Sequence, residues 1–165
     1  MDIIKVKIKG DETEIVYNDN PNVKTTQNTF LKSEDTRSQK FTDSMAALTR
    51  HLQSVVSLPA KYLDTVIVSG VSFRDHETKG MGAVISAQKK LSHCSSPFNM
   101  STPLMWEGSE GQNDAVFDQN TLELLQAIRE EAEAFVNGAR AQQDLFDEDE
   151  EELADSVNEA DAEAA

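Results

Sequence analysis

A single cysteine, Cys94, excludes an internal disulfide and suits a reducing compartment. There is no Cys-x-x-Cys and no His-x-x-x-His spacing among Cys94, His51, His76 and His93, so a zinc site has no basis in the sequence. No glycine-rich phosphate loop is present, because Gly80-Met81-Gly82 is too short for either nucleotide-binding pattern. No apolar run approaches the roughly 18 residues a membrane span needs. The opening MDIIKVKIKG lacks a long apolar core and reads as a strand, not a signal peptide. The hydrophobic share is only 38% and mean hydropathy is −0.50, so part of the chain is expected to stay outside any core.

What is abundant is acid, and it is unevenly placed. The 165 residues carry a net charge of −15. Residues 141–165 hold 11 Asp and Glu and no Lys or Arg. The preceding 140 residues hold all 15 basic residues against 19 acidic ones, a net of −4. The acidity therefore belongs to a tail, which weakens a DNA-mimic reading of the body. The expected organisation is a globular domain over 1–139 and a disordered acidic tail over 140–165.

Periodicity supplies the elements. Ile4, Val6 and Ile8 alternate with Lys5, Lys7 and Lys9, which predicts a half-buried strand with a basic outer face. Thr13–Tyr17 returns as a second strand, and Asn18–Asn28 reads as a loop. Phe41, Met45, Leu48, Leu52 and Val55 make one apolar face of a helix within Ser38–Ser57, stopped by Pro59. Thr65–Phe73 is β-branched and strand-like, and Met81–Leu91 is its hairpin partner. Gly70 within that strand predicts a bulge or a close backbone approach. Ser92–Asn113 reads as a long irregular connection. The last helix spans about Thr121–Asn137, with Asn120 and Glu123 as a capping box, Leu125, Ile128, Ala132 and Phe135 or Val136 as its buried stripe, and Gly138 as its C-terminal cap. The order ββαββα predicts an α+β fold: one antiparallel sheet with both helices on one face.

Few residues suggest chemistry. Asp64 followed by Glu77-Thr78-Lys79 has the outline of a metal-dependent nuclease trio, but Glu77 and Lys79 fall in a hairpin turn, where charge is ordinary. Cys94 has no positioned base in the sequence and reads as buried or inert. No catalytic, cofactor or metal residues are assigned, and a non-enzymatic role is expected. A candidate nucleic-acid face comprises Lys5, Lys7, Lys9, Arg74, Lys79, Lys89 and Lys90, with Tyr17, Phe73 and Phe98 as stacking area. The bland alternative is that these lysines merely keep sheet edges soluble.

The tail carries the most specific signal. Gln142-Gln143-Asp144-Leu145-Phe146 sets two large apolar residues between a predicted helix end and an acid run. It resembles the pentapeptide Gln-Leu-(Ser/Asp)-Leu-Phe, by which bacterial proteins dock on the DNA polymerase sliding clamp. The match is at Gln142, Asp144, Leu145 and Phe146, and Gln143 replaces the leucine. The resemblance implies that Leu145 and Phe146 anchor in a pocket while Gln142 gives directional hydrogen bonds. The alternative is that the pair folds back on the last helix. Thr65–Leu91, Ser95–Pro103 and Arg140–Phe146 together resemble small proteins of bacteriophages and prophages that have no assigned function. That likeness implies a bacterial host cytoplasm and a setting near replication or recombination.

Three functions follow as expectations. The first is an accessory protein of DNA replication or recombination that docks on the sliding clamp through its tail. The second is a single-stranded-DNA-binding protein whose acidic tail regulates the lysine-bearing sheet. The third is a host-defence inhibitor that acts by binding.

Overall fold

Two hairpins and two helices build the core, and both hairpins turn on glycine. The computed structural model describes residues 1–20, 27–111 and 114–140. Strands β1 (Asp2–Lys9) and β2 (Glu12–Asn18) pair around Gly10, whose φ is +58°. Strands β4 (Val66–His76) and β5 (Gly80–Lys89) pair along ten residue pairs to a turn ending at Gly80, φ +73°. Left-handed backbone of this kind is open to glycine at no steric cost.

The sheet runs β3-β2-β1-β4-β5-β6, where β3 is Thr29–Ser33 and β6 is Phe98–Ser101. A two-residue strand β7 (Met105–Trp106) also pairs with β5, and every pairing between strands is antiparallel. The α+β architecture is as the sequence predicts, with three more strands. β3 follows directly on the expected Asn18–Asn28 loop. β6 and β7 lie inside the stretch expected to be irregular. A 3-10 helix, Ala60–Thr65, leads into β4.

Helix α1 (Gln39–Val55) starts at Ser38, whose Oγ accepts from the Phe41 amide at 3.1 Å. It ends with Ser57 at φ +53° and the Leu58 amide donating to the Gln53 carbonyl, a Schellman closure that precedes Pro59. Helix α2 (Gln119–Val136) closes in the same way at Gly138, φ +97°, with the Ala139 amide on the Ala134 carbonyl. Its N-cap is Asp118, which accepts from the Thr121 amide at 2.8 Å, not the expected Asn120. The helix begins earlier than the capping-box spacing suggests, and a carboxylate there faces the positive end of the helix dipole.

Phe41, Met45, Leu48 and Leu52 of α1 and Leu125, Ile128, Ala132 and Phe135 of α2 are buried together with Val6, Ile15, Val71 and Ile85 of the sheet. Both helices therefore cover one sheet face. The first strand corrects one expectation. Ile3 is buried and Ile4 is not, because a bulge between Ile3 and Lys5 shifts the phase of alternation. A second bulge falls between Val68 and Gly70, at the glycine where the sequence predicts one. A Cβ on Gly70 would lie 2.7 Å from the Val6 carbonyl oxygen, so the close approach is also real.

Candidate nucleic-acid interface

Among the described residues no helix covers the second face of the sheet. Its residues follow from the pairing register. Lys5, Lys7 and Lys9 stand opposite Val16, Glu14 and Glu12 of β2. Val16 and Glu14 face Phe30 and Lys32 of β3. On the other side Lys5 and Lys7 face Ser72 and Gly70 of β4, which face Val84 and Ser86 of β5. Arg74 stands opposite Gly82, and Gly82 opposite Trp106. The middle of this face is thus paved with Gly70, Ser72, Gly82, Val84 and Ser86, and its flanks carry bases and aromatics.

Trp106 lies directly on Gly82: a Cβ there would fall 2.5 Å from the indole ring. His76 packs edge-on against the same indole, 5.5 Å between centroids. At the opposite end Phe30 is 57% exposed. Sequence reasoning missed both aromatics. Phe30 and Trp106 belong to short strands that periodicity does not reveal.

The charges on this face are partly paired. Lys32 holds Glu12 at 2.7 Å, and that hydrogen bond is the main reason the Glu12 carboxyl titrates below its ordinary range. Glu14 sits 3.5 Å from Lys9 and 3.9 Å from Lys7. Lys5 and Arg74 make no ion pair among the described residues. Five basic side chains against three acids, the third being Glu107 over Gly80, leave the face net positive.

The structure thus brings Lys5, Lys7, Lys9 and Arg74 onto one surface, with Lys79 at its Trp106 edge and Lys90 beside Gln88 of the same phase, and turns Lys89 to the other face. Lys79 sits in the β4–β5 turn, 2.9 Å from Asp114 and 5.8 Å from the Trp106 ring centroid. Lys89 is in phase with the helix-covered face and lies over the Tyr62 ring at 3.9 Å. Lys90 follows β5, its amide on the Thr65 carbonyl. Of the expected stacking residues, Phe73 is buried and Tyr17 packs against the core, because both share the inward phase of their strands. Phe98 is exposed but stands opposite Lys89, again in the inward phase.

Other candidates for chemistry dissolve in the fold. Asp64 and Glu77 flank opposite ends of β4, an 11-residue strand; at about 3.3 Å per residue that separates them by roughly 35 Å. Cys94 is exposed, not buried. Among the described residues no three His, Cys, Asp or Glu side chains gather as metal ligands.

His51 sits in a polar cluster beside a cleft of about 600 Å³ between α1 and the start of α2. Its Nδ1 is 2.9 Å from Thr121 Oγ1 and 3.4 Å from Asp118 Oδ2. Since the Thr121 hydroxyl donates to Asp118 at 3.0 Å, its oxygen accepts from His51 Nδ1. The Thr121 amide above all, then its hydroxyl and His51, hold the Asp118 carboxyl below its ordinary range. Among the described residues His51 Nε2 is buried without a partner. A general base needs a ring nitrogen within reach of substrate, and here one nitrogen is engaged and the other sealed. The cluster ties α1 to the N-terminus of α2.

The docking residues Gln142, Asp144, Leu145 and Phe146 lie outside the described residues. The described chain ends at Arg140, whose Nε donates to Asp35 at 2.7 Å and whose guanidinium lies 4.0 Å from the Phe135 ring centroid. No helix among the described residues is long and apolar enough to cross a membrane. Comparison with family models, with curated proteins and with solved structures finds no match.

Proposed function

We propose that this protein is a non-enzymatic accessory protein of DNA metabolism whose open sheet face binds single-stranded DNA. One observation carries the reading: the strand register sets Lys5, Lys7, Lys9 and Arg74 on the helix-free face together with exposed Phe30 and half-buried Trp106. Aromatic rings flanking a flat, positively charged surface suit a substrate of stacking bases on a phosphate backbone. Each stacked base is worth about 1–3 kcal/mol by alanine substitution. Small side chains between the flanks let a strand lie close.

Fluorescence titration with a labelled oligonucleotide tests this. Binding is expected to weaken steeply with salt, since each phosphate neutralised releases counterions. The double charge reversal Lys5→Glu/Arg74→Glu is expected to weaken it by about tenfold or more, since it removes two phosphate contacts and adds repulsion. Deletion of residues 147–165 is expected to strengthen it, because it removes acids that repel the phosphate backbone. An affinity unmoved by both salt and charge reversal excludes the reading.

A second reading concerns the tail, and the match of Gln142, Asp144, Leu145 and Phe146 to the clamp-docking pentapeptide favours it. We infer that this segment recruits a bacterial sliding clamp to the DNA that the body holds. Calorimetry with purified clamp should give saturable binding that disappears in Leu145→Ala/Phe146→Ala. Two buried apolar anchors contribute about 1.5–3 kcal/mol each before ordering costs. Heat of binding that is unchanged by the double substitution removes the motif from the account.

A further inference from the structure

A trough runs along α1 from the point where the described chain ends. Its near part, about 450 Å³, is polar and is lined by Asp11, Asp35, Arg37, Gln39 and Thr42 among others. Its far part, about 230 Å³, shares Arg37 and Thr42 and is walled by Ile8, Met45, Ala46 and Val66–Val68. The β4 backbone at Ile67 closes the far end, while the Ile67 side chain stands opposite Gln88 on the helix-free face, 70% exposed. Beyond it a further hollow holds Lys90, and Lys89 and Lys61 flank the Tyr62 ring.

We propose that this trough is the docking site for the chain's own segment Gln142–Phe146, with the Gln142–Asp144 half in the polar part and Leu145–Phe146 in the apolar part. Five observations support that occupant. The exit is at the right place, because Arg140 is held by Asp35 and Asp35 lines the near part. The length fits. Five residues beyond Arg140 reach about 17 Å when extended, and Ala46 lies eight residues along α1 from its cap, about 12 Å.

The order of polarity fits too, polar then apolar in both peptide and trough. The acid run Asp147–Glu152 would emerge beside Lys61 and Lys89, with Asp64 the one acid in the adjoining 3-10 helix. The trough also offers backbone. β1 pairs with β4 only at Lys5–Lys7, so the β4 edge at Val66–Val68 has no strand beside it on that side among the described residues. An extended peptide adds naturally to such an edge.

The inference does not depend on DNA binding. It shares its peptide with the clamp reading, for which it supplies a regulation: the clamp must draw the segment out of the trough. Its test contains neither DNA nor clamp, so the readings fail separately.

In the full chain with Cys94→Ser, cysteine is placed at position 145, or separately 146, and paired with Ala46→Cys in the trough. The control pairs the same tail position with Glu130→Cys, an exposed site on α2. Under mild oxidation, disulfide-linked monomer is expected to form with position 46 about tenfold faster or more than with position 130, as raised effective concentration dictates. Adding Thr49→Trp, which fills the apolar part, should abolish that difference while the chain stays folded. The proposal is overturned if neither tail position prefers 46, if 130 is preferred, if linked dimers form instead, or if Thr49→Trp changes nothing.

Discussion

Phe135→Ala is expected to cost the fold about 3–5 kcal/mol, the range for deleting a buried aromatic from a core. Phe135 is 2% exposed and meets Phe41 edge-on, 6.3 Å between ring centroids, where α2 crosses α1. Its far side lies under the Arg140 guanidinium. The cavity is held open by two helix backbones, so the site relaxes poorly. With total stability of a domain near 5–15 kcal/mol, the variant would be marginal. Urea unfolding checks this as a lower midpoint at unchanged slope. A loss below about 1 kcal/mol would mean that the helix crossing is not part of the core.

The second large effect is expected at Gly70. An alanine Cβ there would stand 2.7 Å from the Val6 carbonyl oxygen. That atom is backbone and cannot swing aside, so β1 and β4 must part. Those strands are joined by only three residue pairs, Lys5–Ser72, Val6–Val71 and Lys7–Gly70. Gly70→Ala is expected to cost about 1–3 kcal/mol, as overpacking does. Gly111→Ala is the matched control. Nothing lies within 4 Å of the added carbon and the backbone is not left-handed, so a change within about 0.5 kcal/mol is expected. Equal melting temperatures for the two variants would contradict the close approach.

Long apolar periods were legible and short strands were not. Both helices, their buried stripes and the two long hairpins follow from repeats of three to four and of two. β3, β6 and β7 hold five, four and two residues, too few for alternation to stand out from a loop. The candidate face suffered most from this. Phe30 and Trp106 are invisible until their strands are known, while Tyr17 and Phe73 attract notice and then turn inward. Ile3-Ile4 illustrates a separate limit. Two adjacent isoleucines leave the phase undecided, and only the bulge assigns Ile3 to the core. Asn120 and Asp118 are both competent caps, and the start of the helix decides between them.

The narrow β1–β4 join has a consequence for how the chain folds. Each hairpin closes between neighbours in sequence, but this join brings together residues 5–7 and 70–72, across a segment containing β2, β3 and α1. Closing so long a segment is the entropically slow event, and non-local strand pairing sets folding rates. The two halves are thus expected to form first as separate hairpin units and to meet at Gly70. Gly70→Ala should then slow refolding more than it speeds unfolding. A change confined to the unfolding limb would place the meeting of the halves after the barrier.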